Sequence, residues 1–423
     1  MKQVNIALVG LGTIGSGVYK TIEMQKENIE HKEGLSLCLK KVLALNYSID
    51  IPEQLKVKDF YKDIVEDKNI DIVIELMGGI EPARTFITAA LHAGKTVVTA
   101  NKDLIAQHWP ELNTAAKKGG AGLYFEASVG GGIPVIRAIW EGLQANEITS
   151  LMGIVNGTTN YILSKMEETG AGFEDVLSEA QQMGLAEPNP KSDVEGYDAM
   201  YKLSILSSLA FHARVPIEYI YREGITNIAK EDIQFGSELG YTVKLLAIGK
   251  KVGKTIEARV HPTMIPKTHP LASVRGAFNA IYIHGNVVDD IMLYGRGAGS
   301  MPTASAVLSD VIYAASRHEH RYTTFYNEQD VSSELSFENN WESEFFIRII
   351  VKDIPGVLAK IAGVFAKYNV SITSVMQKGE RAENVPLIFV THTAKEISVK
   401  RAVEDIGYIP EVVRVASMIR VER

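Results

Sequence analysis

The first fifteen residues constrain this chain more than any other stretch. Val4–Val9 is an apolar, β-branched run that passes without a spacer into Gly10-Leu11-Gly12-Thr13-Ile14-Gly15, and helix-compatible residues continue to about Glu30. A bare GxGxxG string is common, but one that closes a strand and opens a helix in an alternating α/β region is a dinucleotide-binding fingerprint. In that setting Gly10 makes the tight turn, Gly12 lets the backbone approach a pyrophosphate, and Gly15 lets helix and strand pack closely. Thr13 and Ile14 fall at the helix N-terminus, where free N–H groups favour phosphate. The second strand ends Ala44-Leu45-Asn46, with neither an acid for a ribose 2′-hydroxyl nor an arginine for a 2′-phosphate. Only Lys40 and Lys41 are near, so the choice between NAD and NADP stays open.

The alternation continues. Strands are predicted at Leu37–Leu45, Asp71–Met77, Thr96–Ala100 and Leu123–Phe125, with helices from Pro82 through His92 and from about Trp109 to Lys118. The fold class is therefore α/β: a Rossmann-type, doubly wound parallel sheet over residues 1–130. Residues 131–299 mix helices with Val-, Ile- and Tyr-rich strands and read as an α+β catalytic and dimerisation domain. A helix at 300–317 is expected to return and pack on the first domain. Residues 318–344 are polar and read as a linker, and 345–423 spell strand, helix, strand, strand, helix, strand, a ferredoxin-like βαββαβ domain. A length of 423 residues is consistent with such a division.

Net charge is −7 and no basic patch stands out, so nucleic acid is not an expected partner. No apolar run reaches the ~18 residues of a membrane helix, and the N-terminus lacks signal-peptide features. With Cys38 the single cysteine, these features predict a soluble, cytoplasmic protein. His318-Glu319-His320 places its imidazoles on different helix faces and is not a metal site.

Two places carry candidate chemistry. Asn101-Lys102 follows a parallel strand's carboxyl end, the edge at which open α/β sheets bind ligands. Residues 187–202 hold Glu187, Lys191, Asp193, Glu195, Asp198 and Lys202, the last two spaced to share a helix face. Alone, such a pair is usually a solvated ion pair. Beside a nicotinamide, a partly desolvated lysine could exchange a proton with a hydroxyl as hydride leaves its carbon, with Asp198 orienting it or holding a substrate ammonium.

The combination resembles homoserine dehydrogenase in its long form with a C-terminal ACT domain, over essentially the whole chain. The carrying strings are Ala7 to Gly15, Met77 to Pro82, Thr99-Ala100-Asn101-Lys102, Phe125 to Pro134, Asn156 to Leu163, Asp193 to Lys202, and Gly295 to Gly299 with Pro302-Thr303. The resemblance implies reversible NAD(P)-dependent interconversion of L-homoserine and L-aspartate 4-semialdehyde, in threonine, methionine and isoleucine biosynthesis. It makes Lys202 the proton donor–acceptor and Lys102 a second active-site lysine, with Glu187 and Asp198 at the substrate's amino end and Gly157 and Thr158 near its carboxylate. The last pair opens a helix, which suits a carboxylate. It adds Lys102 and Gly299 to the cofactor residues, and a sodium ion near Glu126, Val129, Gly131 and Ile133, held mostly by main-chain carbonyls. Many relatives carry an arginine where this chain has Leu45-Asn46, a departure that weakens any inherited NADP preference. The ACT domain implies an amino-acid effector, most plausibly L-threonine, with Asp353 and Gly356 at the first strand-to-helix turn and Asn369 before the second strand; the alternative is a module that only associates. A homodimer or homotetramer is expected, and deletion from about residue 340 is expected to leave an active, threonine-insensitive enzyme. Aspartate-semialdehyde dehydrogenase is excluded because its thioester chemistry needs a cysteine that Cys38, in the second strand, cannot supply.

Overall fold

A computed structural model of the protein describes residues 1–317, 319–320, 322–323, 325, 335–378 and 382–423. The first unit runs β1 (Lys2–Val9), α1 (Thr13–Glu33), β2 (Leu35–Leu43), β3 (Lys56–Val57), β4 (Ile72–Glu75), α2 (Ala83–His92), β5 (Thr96–Thr99), α3 (Lys102–Gly119) and β6 (Leu123–Tyr124). Its six strands are parallel, in the order β3-β2-β1-β4-β5-β6. Strand order reverses between β1 and β4, which opens a crevice at their carboxyl ends. Helix α3 begins at Lys102 and not near Trp109. Asn101 caps it by accepting the Leu104 amide, and the non-helical His108 beside Pro110 is a kink within the helix.

The second unit contains α4 (Val135–Arg137), β7 (Ile148–Ile154), α5 (Gly157–Thr169), α6 (Phe173–Gln182), α7 (Lys191–Val194), α8 (Tyr197–Phe211), β8 (Tyr221–Arg222), α9 (Lys230–Glu238), β9 (Tyr241–Val252), β10 (Thr255–Pro266), β11 (Phe278–Gly285) and β12 (Asp289–Arg296). Strands β12-β11-β7-β9-β10 form an antiparallel series. Helix α10 (Ser300–Ser316) then goes back to the first unit. Its Ala304, Val307, Leu308 and Val311 share one core with Ile6, Leu8, Val18 and Ile22. A Cβ on Gly17 would lie 2.5 Å from the Ser300 hydroxyl, so the α1–α10 approach depends on that glycine.

The remaining elements are β13 (Ser336–Phe337), β14 (Glu342–Lys352), α11 (Val357–Lys367), β15 (Ile372–Gln377), β16 (Asn384–Thr391), β17 (Ala394–Lys395), α12 (Glu396–Gly407) and β18 (Val412–Val421). Alternation along β14 explains how they pack. Phe345, Ile347, Ile349 and Val351 share a core with Val357, Ile361 and Phe365 of α11 and Val399, Ala402 and Ile406 of α12, while Phe346 joins the large core of the first two units. Strand β18 pairs with β14 on one side and, at Thr263↔Arg420 and Met264↔Val421, with β10 on the other, so the two sheets are continuous.

Charge is buried at this junction. Arg259 of β10 pairs with Glu422, which also takes Lys250 at 2.9 Å, and Arg348 of β14 grips Asp232 of α9 through two hydrogen bonds of 2.7 and 3.1 Å. The stretch read as a linker is partly outside the described residues, His318 among them. What is described of it is anchored: Phe325 lies 5.5 Å from Trp109, the Tyr124 hydroxyl is 3.0 Å from His320 Nδ1, β13 pairs with β10, and Trp341 is buried. Among the described residues of the stretch, a few aromatic side chains make these contacts.

Candidate active site

The fingerprint loop is shaped by contact. Gly10 has φ 98°, and a Cβ there would stand 2.6 Å from the Leu76 backbone; one on Gly15 would stand 2.1 Å from the Gly10 carbonyl. A Cβ on Gly12 would meet nothing within 4 Å, which leaves that side open to a ligand. Helix α1 has no side-chain cap and no acid in its first turn, so the N–H groups around Thr13 and Ile14 keep their capacity for an anion. A cavity of about 900 Å³ adjoins them, lined in part by Gly10, Gly12, Ala44, Asn46, Lys56 and Lys58. Lys40 and Lys41 are not among its lining residues. The two lysines that are come from the β3 side, brought in by the Val42↔Lys56 pairing, and Lys56 is itself paired with Glu53.

The second centre lies where α8 meets α3 and α5. Gly196, left-handed at φ 83°, starts α8 so that Asp198 sits in its first turn, one turn before Lys202. Lys202 Nζ donates to Asp198 at 2.7 Å and to the Val155 carbonyl at 2.8 Å. Asn156 donates to Asp198 at 2.9 Å and to Asp193 at 2.7 Å, while its side-chain oxygen caps α5 by accepting the Thr159 amide. Lys102, from the first unit, places its ammonium 3.4 Å from the other Asp198 oxygen. Burial pushes the Asp198 carboxyl up, but Lys202, Lys102 and Asn156 outweigh it and hold it below the usual carboxylate range. Desolvation pulls Lys102 down, yet Asp198 and Asp103 more than compensate, so its ammonium holds its proton more tightly than a free lysine. Asp193 is pushed up by burial.

Lys102, Asp198 and Lys202 are thus brought together. Gly157 opens α5 against the Ala277 backbone, where a Cβ would stand 2.9 Å from the carbonyl oxygen, and the Thr158 hydroxyl donates to the Leu185 carbonyl at 2.8 Å. Glu187 lies further along that loop with its carboxylate exposed and outside the lysine cluster. Asn156, which the sequence marks only as part of the string that opens α5, is the hub that ties Asp193 and Asp198 to that helix; an Asn before Gly157-Thr158-Thr159 is the available signal. The Val155 carbonyl leaves no signal at all.

Residues 126–133 offer oxygen from the main chain. The Glu126 carboxylate is taken up by the Ile136 and Arg137 amides, each at 2.8 Å, and Val129 and Ile133 have apolar side chains. The carbonyls of Val129 and Gly131 accept no hydrogen bond among the described residues. Gly131, at φ 56°, lies against Gly297, which in turn abuts the fully buried and unpaired amide of Asn279. Such a neutral, hard-oxygen surround fits a monovalent cation better than a transition metal. No cluster of three or more acidic, histidine or cysteine side chains able to hold a metal occurs among the described residues. Gly299, at φ 118°, is the N-cap of α10.

In the last unit Asp353 accepts from Gln377 at 3.3 Å and Gly356, at φ 91°, caps α11. Asn369, at φ 58°, follows the far end of that helix, so one chain does not bring it to Gly356.

Comparison with known proteins agrees with this layout. The family model "Homoserine dehydrogenase, NAD binding domain" matches residues 10–126, "Homoserine dehydrogenase" matches 134–312, and "ACT domain" matches 345–411. The homoserine dehydrogenase of Bacillus subtilis is 41% identical over 100% of this chain and 99% of its own length, and that of Corynebacterium glutamicum is 42% identical over 99% and 96%. The crystal structure of a homoserine dehydrogenase from Thiobacillus denitrificans superposes with a TM-score of 0.92 at 39% identity, covering 100% of this chain and 99% of that one. The three family models in this order and relatives 41% and 42% identical over essentially the full length place the chain in the homoserine dehydrogenase family.

Proposed function

We propose that the Lys102–Asp198–Lys202 constellation carries the interconversion of L-homoserine and L-aspartate 4-semialdehyde, and the observation that supports it most is the clasp of both lysines on one buried carboxylate. A nicotinamide dinucleotide held over Gly10, Gly12 and Gly15 supplies the hydride acceptor or donor. Lys202 has three N–H groups as an ammonium, two of them engaged with Asp198 and Val155, which leaves one for the substrate oxygen. As an amine it takes the hydroxyl proton; as an ammonium it returns it to the aldehyde oxygen. Lys102, held protonated by Asp198 and Asp103, is suited to stay as fixed positive charge beside that oxygen and not to act as a base.

The substrate carboxylate faces the start of α5 at Gly157 and Thr158, and its ammonium faces Asp198. Glu187, two residues beyond the Leu185 carbonyl that Thr158 holds, is assigned to the same ammonium. Main-chain carbonyls of Glu126, Val129, Gly131 and Ile133 hold a sodium ion. Lys56 and Lys58 favour acceptance of NADP alongside NAD. The ACT domain receives L-threonine at Asp353 and Gly356, in a homodimer or homotetramer in the cytoplasm. The test is homoserine-dependent reduction of NAD⁺ and NADP⁺ measured side by side, with and without sodium; absence of reduction with either dinucleotide rejects the reading.

A further inference from the structure

Glu75 closes β4 at the crevice edge of the first sheet. It is 1% exposed, and among the described residues it has no cationic partner. Burial pushes its carboxyl above the usual range against the hydrogen bonds it accepts. An acid buried without a cation is costly unless its oxygens are hydrogen-bonded, and here the Thr99 hydroxyl, the Met77 and Gly78 amides and the Asn101 side chain all favour its charged form. One oxygen accepts the Met77 amide at 2.7 Å and the other accepts the Thr99 hydroxyl at 2.7 Å. The Thr99 oxygen, fully buried, in turn accepts the Asn101 amide at 3.0 Å. Asn101 then donates to the Gly79 carbonyl at 2.6 Å and accepts the Leu104 amide at 3.2 Å. One polar chain therefore ties the ends of β4 and β5, the loop at 77–79, and the first turn of α3. The first residue of that turn is Lys102.

We propose that Glu75 is a positioning residue that acts through Thr99 and Asn101 to fix Lys102 against Asp198. The inference rests on the reading of Lys102 as an active-site lysine. One hydroxyl makes both links: Thr99 donates its single proton to Glu75 and accepts the Asn101 amide on the same oxygen. A valine at 99 breaks both links that run through the hydroxyl while keeping the shape, and a serine keeps both.

The test is a double-mutant cycle in kcat on the full-length enzyme, with dinucleotide affinity and melting temperature measured alongside. Thr99→Val should lower kcat about tenfold, within the range that misplacement of a catalytic group produces, and Thr99→Ser should recover turnover to within about threefold of the parent. In a Lys102→Met background Thr99→Val should cost less than about twofold more, because the group it positions is gone. Glu75→Gln keeps an acceptor for Met77 but turns an N–H toward Thr99, and should follow the same non-additive pattern. Additive losses, a serine as impaired as valine, or unchanged kcat in Thr99→Val would each overturn the relay. Full turnover in Lys102→Met alone would instead overturn the assignment of Lys102 on which it rests.

Discussion

Glu422→Gln is the most direct probe of how the last domain is attached. The Glu422 carboxylate is nearly buried and accepts from Arg259, from Lys250 at 2.9 Å and from Ser343 at 3.1 Å. The Arg259 side chain is 0% exposed, its Nε has no partner among the described residues, and a guanidinium does not shed its proton to escape burial. The substitution keeps the shape and removes the counter-charge. Lys250 is 34% exposed and can turn to water, whereas Arg259 keeps only Glu257. Removing one partner of a buried pair costs ~3–5 kcal/mol, and the surviving Glu257 contact places the expected loss near ~3 kcal/mol. Urea unfolding followed by tryptophan emission reads it, since Trp341 stacks 4.9 Å from the Arg259 guanidinium. Burial pushes Glu422 up, but Arg259 and Lys250 hold it below its ordinary value of 4.5. Its contribution is therefore complete above pH 4.5 and fades as pH falls through the lowered value, so parent and variant should converge in acid. A cycle with Arg259→Met should show coupling of at least ~1.5 kcal/mol. A loss under ~1 kcal/mol, or no coupling, would refute the reasoning. By the same logic, deletion from residue 340 strands Arg259 and Asp232 together, and the shortened chain should aggregate instead of persisting as an insensitive enzyme.

Lys202→Ala should lose at least ~10²-fold in kcat with little change in dinucleotide affinity, as measured by steady-state kinetics and equilibrium titration. Lys244, buried against Asn160 and the Val274 carbonyl, is lowered to about 8 by desolvation, so the native state binds fewer protons than the unfolded chain above that pH. Stability should rise by ~3 kcal/mol between pH 8 and 10.5 relative to Lys244→Met, which urea titration at each pH can check. Millimolar threonine should inhibit at subsaturating homoserine, and Asp353→Ala should weaken that inhibition without changing kcat.

Periodic and positional signals were the legible part of the fold. The fingerprint, the βαββαβ order and the helix bearing Asp198 and Lys202 follow from local pattern, because turn glycines and face spacing act over a few residues. In β9 Lys244, Lys250 and Lys251 interrupt the apolar run that marks a strand; the first is buried all the same, held by groups distant in sequence. Sequence spacing paired Asp198 with Lys202, but only the approach of two units added Lys102 to the same carboxylate. The described residues of 318–344 are anchored by a few aromatic contacts, which polar composition does not signal. Glu75 was read as one more residue of an apolar strand, and its role is visible only in where its two oxygens point.

The parallel pairing of β18 with β10 gives the chain a timetable. During synthesis Arg259 emerges 163 residues before Glu422, and Thr13 emerges 287 residues before the Ser300 hydroxyl that closes on it. The first unit takes α10 into its core and the sheet of β7, β9 and β10 takes β18 on its edge, so neither is completed by one contiguous segment. Both units must wait, incompletely packed, for partners still to be translated. A chain that stops short of β18 therefore leaves Arg259 with Glu257 of its own strand as its counter-charge and the β10 edge uncovered.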